Sequence, residues 1–220
     1  SIPVDTTLTL KQLLNHIITD KTRPDWIPYS TSYYNDNWAF CLPYNFVQKL
    51  NEGIYRVVIE STKKAGELVY AESYIDNGAK KDILVSSYIC HPSMANDSLS
   101  GVVLTVELYK ELKKIKGLNY NYRFLFTPET IGTICFLYEN KENIKSNLEY
   151  GLVSTCVGDS GEFTYKKSRN EKSNLNRVVD YIFSERNIKN RIIEFSPLGS
   201  DERQYCSPGF NLNVGVLTRS

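Results

Sequence analysis

The chain has 220 residues, of which 26 are basic and 25 acidic, so its net charge is +1. This balance argues against a protein that binds nucleic acid or a membrane surface by bulk electrostatics. No apolar run is long enough to cross a bilayer and the amino terminus lacks a signal-peptide pattern, so the sequence predicts a cytoplasmic protein without membrane contact.

The first 50 residues are predicted to form a helix and an aromatic cover segment. Thr6–Asp20 carries leucines and isoleucines at helical spacing, which is typical of an amphipathic helix. Residues 24–44 hold many aromatic side chains, Tyr33 and Tyr34 among them, without a clear period. We interpret this segment as a cover over a sheet edge, with stacking on a sugar or an apolar side chain as the alternative.

The rest of the chain alternates predicted strands and helices. Two strands, at 55–59 and 67–75, are predicted to pair, and the apolar run 82–89 is typical of a buried strand. Strands are also predicted at 122–126, 150–157, 191–195 and 212–217, and helices at 45–50, 99–114, 130–138 and 173–184. This alternation predicts an α/β fold with a mainly parallel mixed sheet and helices on both faces.

We predict a single domain over residues 1–220. The chain has no initiator methionine and stops at Ser220 directly after a predicted strand. These ends predict a fragment that lacks amino- and carboxyl-terminal segments.

Several predicted strands end on a carboxylate or an imidazole. His91 with Asp97, then Glu129 and Asp159, follow three different strands, and Asp201 precedes the last one. Acidic groups gathered at one sheet edge repel one another unless they share a cation. Because imidazole and carboxylate are ligands that zinc prefers, the sequence predicts a metal site at this edge.

Each of these residues also has a structural interpretation. Asp97 and Glu129 could cap helices, where the helix dipole favours an acidic side chain, and His91 could bind backbone at a strand end. Asp159, beside two glycines, suits a turn, and the run that begins at Asp201 suits a solvated helix start.

Cys90 is adjacent to His91, so it has a functional interpretation as well as a structural one. The five cysteines include no CxxC, which is typical of free thiols in a reducing compartment. We interpret Cys90 as a strand residue that faces the core, with a nucleophile or a metal ligand as the alternative.

Three motifs together resemble bacterial aminopeptidase-like proteins of polysaccharide-biosynthesis loci, which are distant relatives of the co-catalytic zinc aminopeptidases. The motifs are His91-Pro-Ser-Met-Ala-Asn-Asp-Ser-Leu-Ser-Gly101, Thr127-Pro-Glu-Thr-Ile-Gly132 and Gly199-Ser-Asp-Glu-Arg-Gln-Tyr205. The resemblance implies that Asp97 lies in the turn that binds metal in those enzymes, that His91 is a ligand, and that Glu129 is the general base.

The sequence departs from the family pattern at two positions. Where the aminopeptidases have a second glutamate this chain has Thr130, so Glu129 either remains the base or takes the ligand role. The aspartate ligand expected near Thr155 is missing, and Asp159 is its candidate replacement. The family's last histidine ligand would lie beyond Ser220.

These departures favour one zinc over two, held by His91 and Asp97 with Asp201, Asp159 or Glu129. The resemblance then predicts a zinc-dependent amide or peptide hydrolase, acting on a small peptide or an acylamino sugar. The alternative is a catalytically degenerate fold that serves as a saccharide- or peptide-binding or scaffold module. The third motif supplies three candidate substrate contacts, Glu202, Arg203 and Tyr205. A homo-oligomer is possible.

Overall fold

The computed structural model describes residues 2–30, 35–91 and 94–219, and the chain divides into two compact units, Ser1–Gly66 and Glu67–Ser220. The predicted single domain stays a prediction. Among the described residues, no helix is both long enough and apolar enough to cross a membrane.

The first unit contains two small strand pairs and two short helices. One pair is antiparallel (β1 with β4) and the other is parallel (β2 with β3). The elements of this unit are β1 (Val4–Thr9), α1 (Leu10–Leu14), β2 (Ile17–Ile18), β3 (Phe40–Cys41), α2 (Tyr44–Val47) and β4 (Ile54–Ile59).

The helix predicted over Thr6–Asp20 is wrong for most of its length. The residues of β1 alternate between half-buried and exposed, and their β-branched side chains favour an extended backbone. The helix begins only at Leu10, because Thr9 and Gln12 form a capping box. Tyr33 and Tyr34 of the predicted cover segment lie outside the described residues.

The second unit is built on a mixed seven-stranded sheet with the order β10-β9-β11-β8-β6-β7-β5. The β9–β11 and β5–β7 pairs are antiparallel, and the other four pairs are parallel. The strands are β5 (Ala71–Ile75), β6 (Asp82–Tyr88), β7 (Asn121–Thr127), β8 (Leu148–Ser154), β9 (Phe163–Lys166), β10 (Asn190–Ile193) and β11 (Val214–Arg219).

Helices cover both faces of this sheet, which confirms the predicted α/β class. The helices are α3 (Gly101–Leu112), α4 (Ile131–Glu139), α5 (Lys141–Asn147), α6 (Asn174–Glu185) and α7 (Glu202–Tyr205). Successive strand residues point to opposite faces of the sheet. On one face, Leu84 joins the core packed by α4, α5 and α7. On the other, Ile83 and Val85 line a groove with residues of α3 and α6.

The structure corrects one further prediction and contains elements that were not predicted. The strands predicted to pair with each other do not: β4 pairs with β1, and β5 pairs with β7. The sequence also gave no sign of β9 or α5, because neither segment carries a clear apolar period.

Candidate metal centre

Two neighbouring parallel strands end at the same edge of the sheet, and this brings His91 and Glu129 together. In the ladder between β6 and β7, Tyr88 lies opposite Thr127. The backbone N–H of Ile89 donates to the Thr127 carbonyl at 3.1 Å and extends the pairing. Both chains then leave the sheet from adjacent points, so side chains distant in sequence meet there.

Cys90, His91 and Glu129 form the one group of three metal-ligating side chains found within residues 2–30, 35–91 and 94–219. Their ligand atoms all lie within 4.8 Å of one another. Cys90 Sγ is 3.2 Å from His91 Nδ1, and the backbone N–H of Glu129 donates to Cys90 Sγ at 3.3 Å. Thiolate sulfur, imidazole nitrogen and carboxylate oxygen are donors that zinc takes, so the group fits this ion.

Cys90 is exposed, so the prediction that it faces the core is wrong. Strand β6 ends at Tyr88, and beyond that point the alternation of strand faces no longer decides where a side chain points. The only sequence signal for its place in the group was that it precedes His91.

Tyr88 connects His91 to Asp97. The Tyr88 ring packs edge-on against the His91 ring with centroids 5.4 Å apart. The Tyr88 hydroxyl donates to Asp97 Oδ1 and accepts a hydrogen bond from the Thr155 hydroxyl at 2.7 Å. Asp97 is thus tied to the group through Tyr88 without being one of its three members. Tyr88 was not predicted as a site residue, because an aromatic residue in a buried strand is typical of the core.

Asp159 closes a turn instead of joining the group. Its Oδ1 accepts from the Gly161 N–H at 2.8 Å, and its Oδ2 accepts from the Asn96 side-chain amide at 3.0 Å. The Asn96 amide oxygen in turn accepts from the Gly158 N–H at 2.8 Å. Asn96 therefore links the loop that follows β8 to the turn that precedes α3.

Asp201 is buried beside the group. Its Oδ1 accepts from the Thr130 N–H at 2.6 Å, and its side chain lies at the start of α7. Burial raises the pKa of the Asp201 carboxyl to about 7, and the negative charge of Glu129 adds to the rise. The structure places Asp201 next to the segment that carries Glu129, outside the group of three donors.

The three predicted substrate contacts differ in accessibility. Glu202 is buried, and its Oε1 accepts from Lys166 Nζ at 2.6 Å. Arg203 donates to the Thr130 hydroxyl at 3.2 Å, and Tyr205 is enclosed in the core. Glu202 is the one of the three that lines a cavity next to the group.

That cavity has a volume of about 590 Å³ and lies beside Glu129. Its wall is mixed in character, with hydroxyl groups, the Lys166–Glu202 pair and a few aliphatic side chains. The lining residues are Tyr88, Glu129, Thr155, Thr164, Lys166, Ile193, Ser196, Leu198, Gly199, Ser200, Glu202, Val216 and Thr218.

Burial shifts the pKa of two members of the group, Glu129 and Cys90. It raises the pKa of the half-buried Glu129 carboxyl, and the nearby charge of Asp97 adds to this rise while that of His91 opposes it. Partial burial of the sulfur also raises the pKa of the Cys90 thiol. A carboxyl with a raised pKa binds a proton more tightly, which suits a group that accepts and returns a proton.

The fold is that of the aminopeptidase-like α/β proteins. Over 77% of this chain the structure matches 43% of a zinc aminopeptidase from Bacillus subtilis, with a TM-score of 0.58 and 13% sequence identity. It matches a crystal structure of a candidate peptidase from Clostridium acetobutylicum much more closely, with a TM-score of 0.95 and 44% identity over 100% of this chain and 52% of that one.

Residues 5–220 match the family model described as a domain of unknown function, DUF4910, and the chain belongs to this family. A curated relative from Clostridium acetobutylicum, named as a candidate polysaccharide biosynthesis protein with an aminopeptidase-like domain, is 44% identical over 100% of this chain and 50% of its own length. The resemblance to such proteins is confirmed. The chain spans about half the length of the relatives it matches.

Proposed function

We propose that this chain contributes the catalytic centre of a zinc-dependent amide hydrolase that acts on a small peptide or an acylamino sugar. The observation that carries the proposal is the meeting of His91 and Glu129, from the ends of two adjacent strands, within one group of metal donors. The fold shared with a zinc aminopeptidase supports a peptidase-type reaction. The relative named for polysaccharide biosynthesis supports an amino-sugar substrate.

Zinc at this position would polarise the carbonyl of the scissile amide and lower the pKa of an attacking water toward ~7. Glu129 would take the proton from that water and return it to the leaving amine. His91 would be held in orientation by the Tyr88 ring. Tyr88 also holds Asp97, whose role as a zinc ligand stays a prediction because its carboxylate is not a member of the group of three donors.

The other predicted ligands have different proposed roles. Asp159 holds the loop that follows β8, and Asp201 holds the Thr130 backbone and thereby the position of Glu129. The cavity beside Glu129 would receive the substrate, with the Lys166–Glu202 pair in its wall. One zinc per chain, a homo-oligomer and a cytoplasmic location stay predictions.

Glu129→Gln tests the hydrolytic role directly. We expect this variant of the full chain to keep its zinc, measured by elemental analysis, and to hydrolyse aminoacyl chromogenic amides and N-acylamino sugars about 10²–10⁴-fold more slowly, because the proton acceptor is gone. Glu142→Gln, an exposed glutamate on α5, is the matched control and should behave as the parent protein.

Two outcomes would contradict this assignment. Unchanged rates in Glu129→Gln would show that the carboxylate transfers no proton, and loss of zinc from the variant would show that Glu129 is a ligand instead. A zinc-loaded parent protein that hydrolyses none of these amides would remove the hydrolase proposal.

A second candidate function is a saccharide- or peptide-binding module without turnover. It is favoured by the two departures from the zinc-aminopeptidase pattern, which has a second glutamate where this chain has Thr130 and an aspartate near Thr155. Both threonines are engaged in other contacts: Thr130 with Asp201 and Arg203, and Thr155 with Tyr88. Calorimetry that detects binding of peptides or saccharides, while no hydrolysis is measured, would support this function.

A further inference from the structure

The distance between the Cys90 sulfur and the His91 nitrogen matches that of two ligands of one ion. A tetrahedral zinc ion with Zn–S of about 2.3 Å and Zn–N of about 2.0 Å holds these atoms about 3.5 Å apart. Cys90 Sγ and His91 Nδ1 are 3.2 Å apart. The two donor atoms are therefore close enough together to be ligands of one ion.

A backbone donor holds the Cys90 sulfur in place at the ends of the two strands. The N–H of Glu129 donates to Cys90 Sγ at 3.3 Å, and this bond crosses from the end of β7 to the end of β6. Donors of this kind around a ligand orient it and adjust its affinity for metal.

A thiolate would also contribute negative charge to the centre. Zinc is divalent, and Glu129 is the one carboxylate in the group of three donors. Asp159, the candidate replacement, has both oxygens engaged in the turn that it closes. A thiolate at Cys90 would supply a second negative charge beside that of Glu129.

Resting on the proposed function, we propose that Cys90 is a zinc ligand, so that the centre is a mixed thiolate–imidazole site with Glu129 beside it. As the sulfur–metal bond forms, the thiol proton passes to the solvent. The sulfur and the imidazole would come from adjacent residues, and the ion would be held against the ends of β6 and β7.

Cobalt(II) absorption spectroscopy tests this assignment without any measurement of activity. The full chain would be stripped of metal, kept reduced and titrated with cobalt(II), which gives an intense near-ultraviolet charge-transfer band only when a thiolate is bound. We expect the band in the parent protein, its loss in Cys90→Ser, and metal affinity about 10–100-fold lower in that variant. Cys135→Ser, a half-buried cysteine on α4, is the control and should keep the band.

The outcomes separate this proposal from the one on which it rests. Cobalt that binds without the band, or equal spectra for the parent and Cys90→Ser, would overturn the thiolate ligand and leave zinc-dependent hydrolysis in place. A parent protein that takes up no cobalt or zinc would overturn both. Rapid alkylation of Cys90 that saturating zinc does not slow would indicate a nucleophilic cysteine and would also overturn the proposal.

Discussion

At the scale of single residues, the site depends on carboxyls that are held in surroundings where charge is costly. Asp201 is the clearest case, because it is fully buried and accepts a hydrogen bond from the Thr130 backbone, yet burial raises its pKa to about 7. A group whose pKa is higher in the folded state binds its proton more tightly when folded. Its contribution to stability is therefore largest below pH 4 and falls as the pH rises to about 7.

Asp201→Asn tests this pH dependence in the metal-free protein. The asparagine keeps an oxygen that can accept from Thr130 but cannot ionise. We expect the free energy of unfolding of the parent protein to fall by up to about 4 kcal/mol relative to the variant between pH 4 and 7. Denaturant unfolding at several pH values measures the difference. Asp180→Asn, an exposed aspartate on α6, is the control, and parallel pH curves for parent and Asp201→Asn would contradict the expectation.

At the scale of secondary-structure elements, a glycine explains how α3 packs so close to the sheet. Gly101 begins α3, and a Cβ built there would lie 2.2 Å from the Ser154 carbonyl oxygen at the end of β8. The same Cβ would lie 2.8 Å from the Ser87 hydroxyl oxygen on β6. The last residue of the first motif is thus needed for the helix to approach the two strands.

Gly101→Ala should destabilise the second unit, because the carbonyl oxygen is part of the backbone and cannot move aside. Overpacking of this kind costs about 1–3 kcal/mol, or a fall in Tm of roughly 2–4 °C per kcal/mol for a chain of this size. Thermal unfolding measures the change. Gly209→Ala places its Cβ in open space and serves as the control. Equal Tm values for the two variants would contradict the close approach.

The sequence predicted the central elements better than the peripheral ones. The apolar run of β6 and the periodic helix α3 are found close to their predicted positions, because burial imposes a clear pattern on both. The second half of β1 was included in a predicted helix, since Leu8 continues the helical spacing of the leucines and isoleucines that follow it. Only the pairing of β1 with β4 decides between strand and helix there.

At the scale of the whole molecule, the order of the strands determines which side chains can meet. Parallel neighbours β6 and β7 end at one edge of the sheet, and this placed His91 close to Glu129 as the sequence suggested. The sequence offered Cys90 as a metal ligand only as an alternative, and it did not predict the network through Tyr88, because both depend on the paths that the chain takes after the strands end. Those paths are set by contacts between segments far apart in sequence.

The position of zinc in a crystal of the full chain is the most direct test of the proposed centre. Diffraction data from crystals grown with zinc, collected on both sides of the zinc absorption edge, would locate the ion. We expect one anomalous peak at the ends of β6 and β7, about 2.3 Å from Cys90 Sγ and about 2.0 Å from a His91 ring nitrogen, with the Glu129 carboxylate beside it. A map without a peak at that edge of the sheet, or with zinc bound only elsewhere, would contradict the proposed metal centre.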